Sequence, residues 1–378
     1  MAMRAVNTSG GKCAGWKALL KGEAAFFTGV LCVLFFTFGG PSLLGLSGAL
    51  LANGLSFAVI FSVMLWLSFG VVRHAECLAE KLGEPYGTLI LTLAVISIEV
   101  VMITALMLTG AENPTLARDT MFSVLMIVLN GMVGITLLIG GLRHHQQIFN
   151  LEGARSYLAV ILCLAFICLI LPRFTLSGEG GSASPLFYGF LVVASVALYG
   201  VFLFLQSTRH RDFFQSPDEV GEGHGGHGAG STTFHAVFLI LSLLPIVLLS
   251  KKIAALLDFG LVSLGAPTAL AGFVVALLVL APEGLAAGRA ALDNTLQRTV
   301  NIALGSALAT IGLTVPAVLL VSAASGKAIE LGLNAPEMAL LAATFFCATV
   351  VFSGNRTNML AGAVHLVLFA AYVVLIFD

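Results

Sequence analysis

The residues from Ala24 to Val72 include no Asp, Glu, Lys or Arg. One membrane-spanning helix needs about 20 apolar residues, so this run has room for two of them. It is also much longer than the apolar part of a secretory signal, which has roughly 7–15 residues. The chain is therefore predicted to enter a lipid bilayer near its start, with the basic residues before Ala24 as a flank of the first span.

The rest of the composition agrees with a membrane protein. The sequence is 58% hydrophobic and only 10% charged, whereas soluble domains carry roughly a quarter charged residues. Its net charge of −1 leaves no basic surplus to neutralise phosphates, which excludes nucleic acid as an expected partner. The lipid bilayer is the expected surrounding.

Apolar segments of spanning length recur along the whole chain. They are too long for the strands of a membrane barrel, which have about 10 residues, and they favour helices. We predict an all-α polytopic fold with about 11 transmembrane helices. The predicted spans are 24–40, 49–72, 87–110, 120–141, 156–172, 186–206, 235–250, 259–282, 299–323, 336–354 and 357–377.

The Lys and Arg residues predict the orientation. With the N-terminus in the cytoplasm, 13 of the 18 fall in cytoplasmic segments and the other 5 on the opposite side. Cytoplasmic loops carry the excess of positive charge. The prediction is a cytoplasmic N-terminus and an external C-terminus.

Short matches indicate an internal repeat. The motif Leu-Gly-x-Pro at 82–85 returns at 264–267, and Thr-Leu-x-Arg at 115–118 returns at 295–298, at offsets of 182 and 180. Five spans per half is an odd number, so the second repeat must be inverted, as in many secondary transporters. The predicted division is a tail (1–23), an extra first helix (24–46), a first repeat (47–206), a cytoplasmic loop rich in His, acid and Gly (207–234) and a second repeat (235–378).

Glu99 is an acidic residue near the centre of a predicted span. Uncharged residues surround it from Pro85 to Ala111. A carboxylate at that depth costs about 2.5 kcal/mol or more, and membrane proteins keep such residues mainly for function. The alternative is a protonated Glu that makes one structural hydrogen bond between helices.

Glu283 is ambiguous by position, because Arg289 follows closely and a cytoplasmic helix end is an equally valid reading. Pro282 and Gly284 flank it, which predicts a helix break whose freed carbonyls can bind a cation. Glu283 also lies 184 residues after Glu99, at the same stage of the second repeat.

Two facing carboxylates are a sensible exchange site, because they can hold either protons or a cation. Calcium needs about 6–8 oxygen ligands, so other oxygen donors must join the two acids. Asn130, Ser306 and Thr310 are the predicted additional ligands, and Asn130 and Thr310 are counterparts at an offset of 180.

Around these residues the sequence resembles the cation/proton exchanger branch of the calcium/cation antiporter superfamily, and most closely the ChaA-type antiporters. It departs from the wider superfamily where Val95-Ile96 and Val279-Leu280 replace a Gly-Asn pair before each acid, which puts calcium selectivity in doubt. The segments that carry the resemblance are AVISIEVVMI (94–103), RDTMFSVLMIVLNG (118–131), APEGLAAGRAALDNTLQRTVNIALGSALATIGLTVP (281–316) and SGNRTNML (353–360).

The resemblance implies alternating access in a bacterial inner membrane. It implies export of Ca²⁺, Na⁺ or K⁺ from the cytoplasm in exchange for protons, with Glu99 and Glu283 as shared ligands of cation and proton. No resident cofactor is expected. A cation channel and a membrane-embedded, metal-dependent enzyme are the alternatives from other classes of protein.

Two further features stay open at this stage. His224 and His227 in the glycine-rich loop could bind a regulatory metal ion or sense pH, although a flexible linker is the better explanation of the composition. His365, inside the last span, is read as a neutral histidine hydrogen-bonded to a neighbouring helix rather than as a proton relay.

Overall fold

A computed structural model describes residues 22–39, 50–83, 86–109, 113–175, 183–215 and 231–378. Within these residues, nine helices are long and apolar enough to cross a membrane, and two more apolar helices are shorter. This architecture confirms the predicted all-α polytopic fold of eleven spans. It also agrees with the requirement that a chain in lipid satisfies its backbone hydrogen bonds internally.

The first helix and the first repeat occupy the residues up to Phe204. In chain order they are α1 (Ala24–Leu34), α2 (Leu50–Leu82), α3 (Tyr86–Thr109), α4 (Leu116–Met126), α5 (Val133–His144), α6 (Leu151–Ala165) and α7 (Pro185–Phe204). The second repeat consists of α8 (Thr232–Leu264), α9 (Ala269–Leu292), α10 (Leu296–Ala309), α11 (Val315–Ser325), α12 (Ala335–Val351) and α13 (Met359–Ile376).

Short segments of other helix types extend or interrupt several of these helices. The π-helical segments are Phe35–Gly39, Ile127–Met132, Phe166–Ile170, Leu205–Arg209 and Thr310–Thr314, and the 3₁₀ segments are Leu171–Phe174 and Arg211–Phe214. The pairs α4–α5 and α10–α11 therefore each form one span with a π-helical segment at its centre.

The first two helices of one repeat match those of the other in length. Helices α2 and α8 each have 33 residues, and α3 and α9 each have 24. Gly83 and Gly265 follow the two long helices with φ angles of +66° and +61°. Glycine is the residue that adopts this left-handed conformation without strain, so the repeated Leu-Gly motif ends both helices in the same way.

The predicted bounds of the seventh and eighth spans, 235–250 and 259–282, were wrong. Helix α8 begins at Thr232, capped by the Ser231 side chain, and runs unbroken to Leu264. Lys251 and Lys252, which fall between the two predicted spans, lie within this helix, and Lys251 is exposed. Long basic side chains can reach water from a helix surface, so they do not require the helix to stop.

The two repeats pack into each other rather than side by side. Helix α2 lies along α8, α4 lies along α9, and α5 lies along α13. Close backbone approach at glycines makes the last two contacts possible. A Cβ on Gly272 of α9 would lie 2.7 Å from the backbone nitrogen of Thr120, and one on Gly362 of α13 would lie 2.6 Å from the backbone oxygen of Gly134.

A two-stranded antiparallel ladder also links the repeats. Strand β1 (Gln147–Ile148) pairs with β2 (Arg356–Thr357), with Gln147 opposite Thr357. These strands connect α5 to α6 and α12 to α13, so the ladder joins the two repeats at one end of the molecule.

Candidate functional site

Glu99 lies in the middle of α3 and is 2% exposed. Its Oε2 atom accepts hydrogen bonds from the hydroxyls of Thr310 and Thr314, each at 3.0 Å. The Oε1 atom is buried and receives no hydrogen bond from the residues that the structure describes. Both donors belong to the second repeat, so this contact joins the repeats through the carboxyl group.

Glu283 lies well inside α9, nine residues before the helix ends at Leu292. The predicted break at Pro282 was wrong, since α9 remains helical from Ala269 to Leu292. Proline removes one backbone hydrogen bond, and packing against neighbouring helices keeps the helix continuous. The hydroxyl of Ser306 donates to Oε2 of Glu283 at 2.8 Å.

The two carboxyl groups line one cavity of about 380 Å³. The lining continues from the buried Glu99 to the exposed side chains of Glu76, Arg211 and Arg298. We call these three residues the mouth, because the cavity opens to solvent there.

The site lies beside the π-helical segment of the second repeat. Thr310–Thr314 contributes two donors to Glu99, and Ile127–Met132 lies at the matching place in the first repeat. Single turns of π-helix inside longer helices are frequent at functional sites, because they re-aim side chains without ending the helix.

The structure brings four of the five predicted ligands together. Glu99, Glu283, Ser306 and Thr310 all line the cavity and are joined by hydrogen bonds in two pairs. Asn130, the fifth predicted ligand, forms other contacts.

Asn130 is fully buried among helices of the second repeat. Its Nδ2 atom donates to Thr344 Oγ1 at 2.8 Å, and its Oδ1 atom lies 3.1 Å from His365 Nδ1. His365 therefore makes the predicted hydrogen bond to a neighbouring helix. The role of Asn130 as a cation ligand stays a prediction.

The predicted loop ligands His224 and His227 lie outside the described residues. Within the ranges that are described, no group of three His, Cys, Asp or Glu side chains could hold a metal ion. The carboxyl pair and its hydroxyl donors are therefore the chemical features that the candidate site offers.

Thr314 and the three residues of the mouth were not predicted from the sequence. Thr314 lies four residues after Thr310, which places both on one helix face, so this spacing was a usable signal. The mouth had no such signal, because Glu76, Arg211 and Arg298 come from distant segments of the chain.

Two matched, interlocked repeats around a pair of carboxyl groups on one cavity define a secondary transporter of the inverted-repeat class. The family described as sodium/calcium exchanger protein matches residues 53–208 and 234–377. The chain belongs to this family. This membership confirms the resemblance seen in the sequence and a secondary transporter as the class of protein, rather than an enzyme.

Known relatives agree with this assignment. The chain is 44% identical to the sodium-potassium/proton antiporter ChaA of Escherichia coli strain K12, over 82% of this chain and 85% of that protein. Its fold resembles the structure of native YfkE, with a TM-score of 0.73, 16% identity and coverage of 94% of this chain and 99% of that one. It also resembles the H⁺/Ca²⁺ exchanger CAX, with a TM-score of 0.66, 16% identity and coverage of 94% and 87%.

Proposed function

We propose that this chain is an antiporter that exports Na⁺, K⁺ or Ca²⁺ from the cytoplasm in exchange for protons, with Glu99 and Glu283 as the shared ligands. The observation that carries the proposal is that the carboxyl groups of two glutamates on spanning helices, one in each repeat, line one cavity. Each is held by hydroxyl donors of the second repeat.

The chemistry of exchange follows from this pair of acids. An uncompensated carboxylate inside a membrane is costly, so each group is stable when it carries either a proton or a bound cation. Two neighbouring carboxylates also repel each other, which both kinds of ligand relieve. Protons and cations therefore compete for the same oxygens. Their exchange is coupled if the protein changes between its inward-open and outward-open states only when the carboxyl groups carry protons or a cation.

The side to which the cavity opens supports the direction of transport. Arg211 and Arg298 at the mouth belong to the segments that the positive-inside rule assigns to the cytoplasm. With that orientation, in an inner membrane and with a cytoplasmic N-terminus, the described state receives cations from the cytoplasm. Alternating access would then release them outside and load protons for return.

The relatives support the class of ion. The Escherichia coli relative is named a sodium-potassium/proton antiporter, and the structurally similar CAX is named an H⁺/Ca²⁺ exchanger. Two carboxyls and the hydroxyls of Ser306 and Thr310 supply oxygen ligands suited to all three cations, with water completing the shell that calcium needs.

The test is cation-dependent proton flux in everted membrane vesicles, with Na⁺, K⁺ and Ca²⁺ added in turn. Glu99→Gln and Glu283→Gln are each expected to abolish this flux, because an amide cannot alternate between a proton and a cation. The matched control is Glu152→Gln, at an exposed carboxylate that pairs with Arg155. It is expected to keep wild-type flux.

Two outcomes would contradict the proposal. Wild-type exchange in both Glu→Gln variants, at normal abundance in the membrane, would place the site elsewhere. Cation flux that carries no protons, in reconstituted wild-type protein, would favour the channel alternative instead.

A further inference from the structure

Thr314 holds Glu99 from outside the cavity. Its side chain is fully buried, and its hydroxyl donates to Glu99 Oε2 at 3.0 Å, as the hydroxyl of Thr310 does. Of these two threonines, Thr310 belongs to the cavity lining and Thr314 does not. Thr314 is thus placed to act on the carboxyl group and not on a passing ion.

We propose that Thr314 is a positioning residue that fixes the carboxyl group of Glu99 so that Oε1 receives the exchanged ion. The inference rests on the proposed function and adds a residue to it. The terminal torsion of a Glu side chain has a broad, roughly two-fold preference, so the chain alone does not orient the carboxyl plane. Two donors on Oε2 hold that plane, and Oε1 is the atom that accepts no hydrogen bond from the described residues.

The Thr314 hydroxyl also affects the competition between protons and cations for the carboxyl group of Glu99. A donor to a carboxylate oxygen stabilises the ionised form, which is the form that binds a cation. Glu283 of α9 lines the same cavity as Glu99, and the charged residues of the mouth, Glu76, Arg211 and Arg298, lie at its exposed end. Loss of the Thr314 hydroxyl would therefore favour the proton-bound form of Glu99 at the expense of the cation-bound form.

The two repeats differ at this position. At the offset of 180, the counterpart of Thr310 is Asn130, and the counterpart of Thr314 is Gly134. Gly134 has no side chain to donate, and a Cβ there would lie 3.0 Å from the backbone nitrogen of Leu366. The three hydroxyls that hold the two acids all come from the stretch 306–314 of the second repeat. The proposed positioning is thus a property of one repeat only.

The test compares Thr314→Val, which keeps the shape and removes the hydroxyl, with Thr314→Ser, which keeps the hydroxyl. The matched control is Thr136→Val, at a buried threonine whose hydroxyl donates to the backbone oxygens of Met132 and Val133 in its own span. All variants are assayed for cation-dependent proton flux across a range of pH and cation concentrations, with their abundance in the membrane measured in parallel.

Thr314→Val is expected to raise the KM for the cation by about tenfold, the effect of one hydrogen bond to a charged group. Its pH profile is expected to move to higher pH, because a cation then displaces the proton from Glu99 less readily. The maximal rate at saturating cation should change by less than about twofold, because the ligands themselves remain. Thr314→Ser should restore KM and pH profile, and Thr136→Val should change neither.

Unchanged KM and pH profile in Thr314→Val would overturn the proposal. Equal impairment in Thr314→Val and Thr314→Ser would also overturn it, since packing and not the hydroxyl would then be the cause. If Thr314→Val does not accumulate, Thr314→Cys offers a weak donor of similar size, and a smaller shift in the same direction is expected. Wild-type exchange in Glu99→Gln would instead refute the proposed function, whatever Thr314 does.

Discussion

Glu99 and Glu283 occupy corresponding places in the two repeats, yet the protein surrounds them differently. Glu99 is 2% exposed and has two hydroxyl donors. Glu283 is partly exposed and has one donor, Ser306. An ion that enters from the mouth would meet the more accessible carboxyl first and the more enclosed one second. The site is therefore symmetric in its acids and asymmetric in the hydroxyls that hold them.

A residue-scale prediction concerns the contacts of Asn130. Thr344→Val removes the hydroxyl that accepts from Asn130 Nδ2 and leaves a buried donor with only a weak sulfur contact. A buried donor without its partner costs about 1–3 kcal/mol. We expect a lower melting temperature in detergent together with an unchanged KM for the cation. The control is Thr349→Val, at an exposed threonine of the same helix, which should melt like wild type.

A different result would bear on the role of Asn130 in the site. A raised KM at unchanged melting temperature in Thr344→Val would mean that the contacts of Asn130 act on the exchange site. That result would support the prediction that Asn130 is a ligand.

The site residues differed in how far the sequence could predict them. Glu99 was identifiable because uncharged residues surround it on both sides. The depth of Glu283 was not, because Arg289 lies close by and the end of α9 depends on packing that a local pattern does not contain. Asn130 was predicted from the repeat offset, but its amide is held by Thr344 and His365, which lie more than 200 residues away along the chain.

At the scale of helices, a buried polar cluster joins α1, α2 and α8. Glu23 immediately precedes α1, and its Oε2 atom lies 2.9 Å from His74 Nε2 in α2 and pairs with Arg73. His74 Nδ1 in turn lies 3.0 Å from His235 Nδ1 in α8. One of these two nitrogens must donate and the other accept, so at least one of the rings is neutral. The cluster thus links the extra first helix to the first helix of each repeat.

We predict that His74→Ala weakens the contact of α1 with α2 and α8. The side chain of His74 is 1% exposed, so its removal takes one partner from Glu23 and one from His235 inside the protein. We expect a loss of about 2–4 kcal/mol of stability, seen as an earlier thermal transition of the purified protein. His145→Asn is the control, because His145 is exposed. Equal thermal transition temperatures in His74→Ala and His145→Asn would show that the cluster does not hold the helices together.

Repeat offsets predicted the order of the helices well, because both repeats end their first long helix with the same Leu-Gly motif. The bounds of the helices were predicted poorly where a charged residue or a proline lies inside a continuous helix. Lys251 and Lys252 interrupt the apolar pattern of α8 without interrupting the helix. Pro282 satisfies the usual sequence signal for a helix end, yet α9 continues beyond it. In both places tertiary packing overrides the local signal.

At the scale of the whole molecule, the two repeats form one body because their helices alternate in space. Helix α13 of the second repeat lies in contact with α5 of the first, and α9 of the second with α4 of the first. Both acid-bearing helices also contact the other repeat, since α3 packs against α8 and α9 packs against α4. Any motion of α3 or α9 in a transport cycle would therefore have to break or slide contacts between the repeats.

Gly362 lies at the close contact between α13 and α5, which joins the two repeats. A Cβ there would lie 2.6 Å from the Gly134 oxygen and 2.9 Å from the Leu138 Cα, both backbone atoms of α5 that cannot turn aside. Gly362→Ala must therefore push α13 away from α5, and overpacking of this kind costs about 1–3 kcal/mol or more. Small residues make such close helix contacts possible in lipid, where no hydrophobic force between helices compensates for lost packing.

We expect Gly362→Ala to reduce both the abundance of folded protein in the membrane and its melting temperature. The control is Gly288→Ala in α9, where a Cβ would have no neighbour within 4 Å, and where alanine is the better helix former. Wild-type abundance and melting in Gly362→Ala would mean that α13 and α5 can separate slightly without loss. The contact between the repeats would then be a sliding surface, and the effect of the substitution should be sought in the rate of exchange instead.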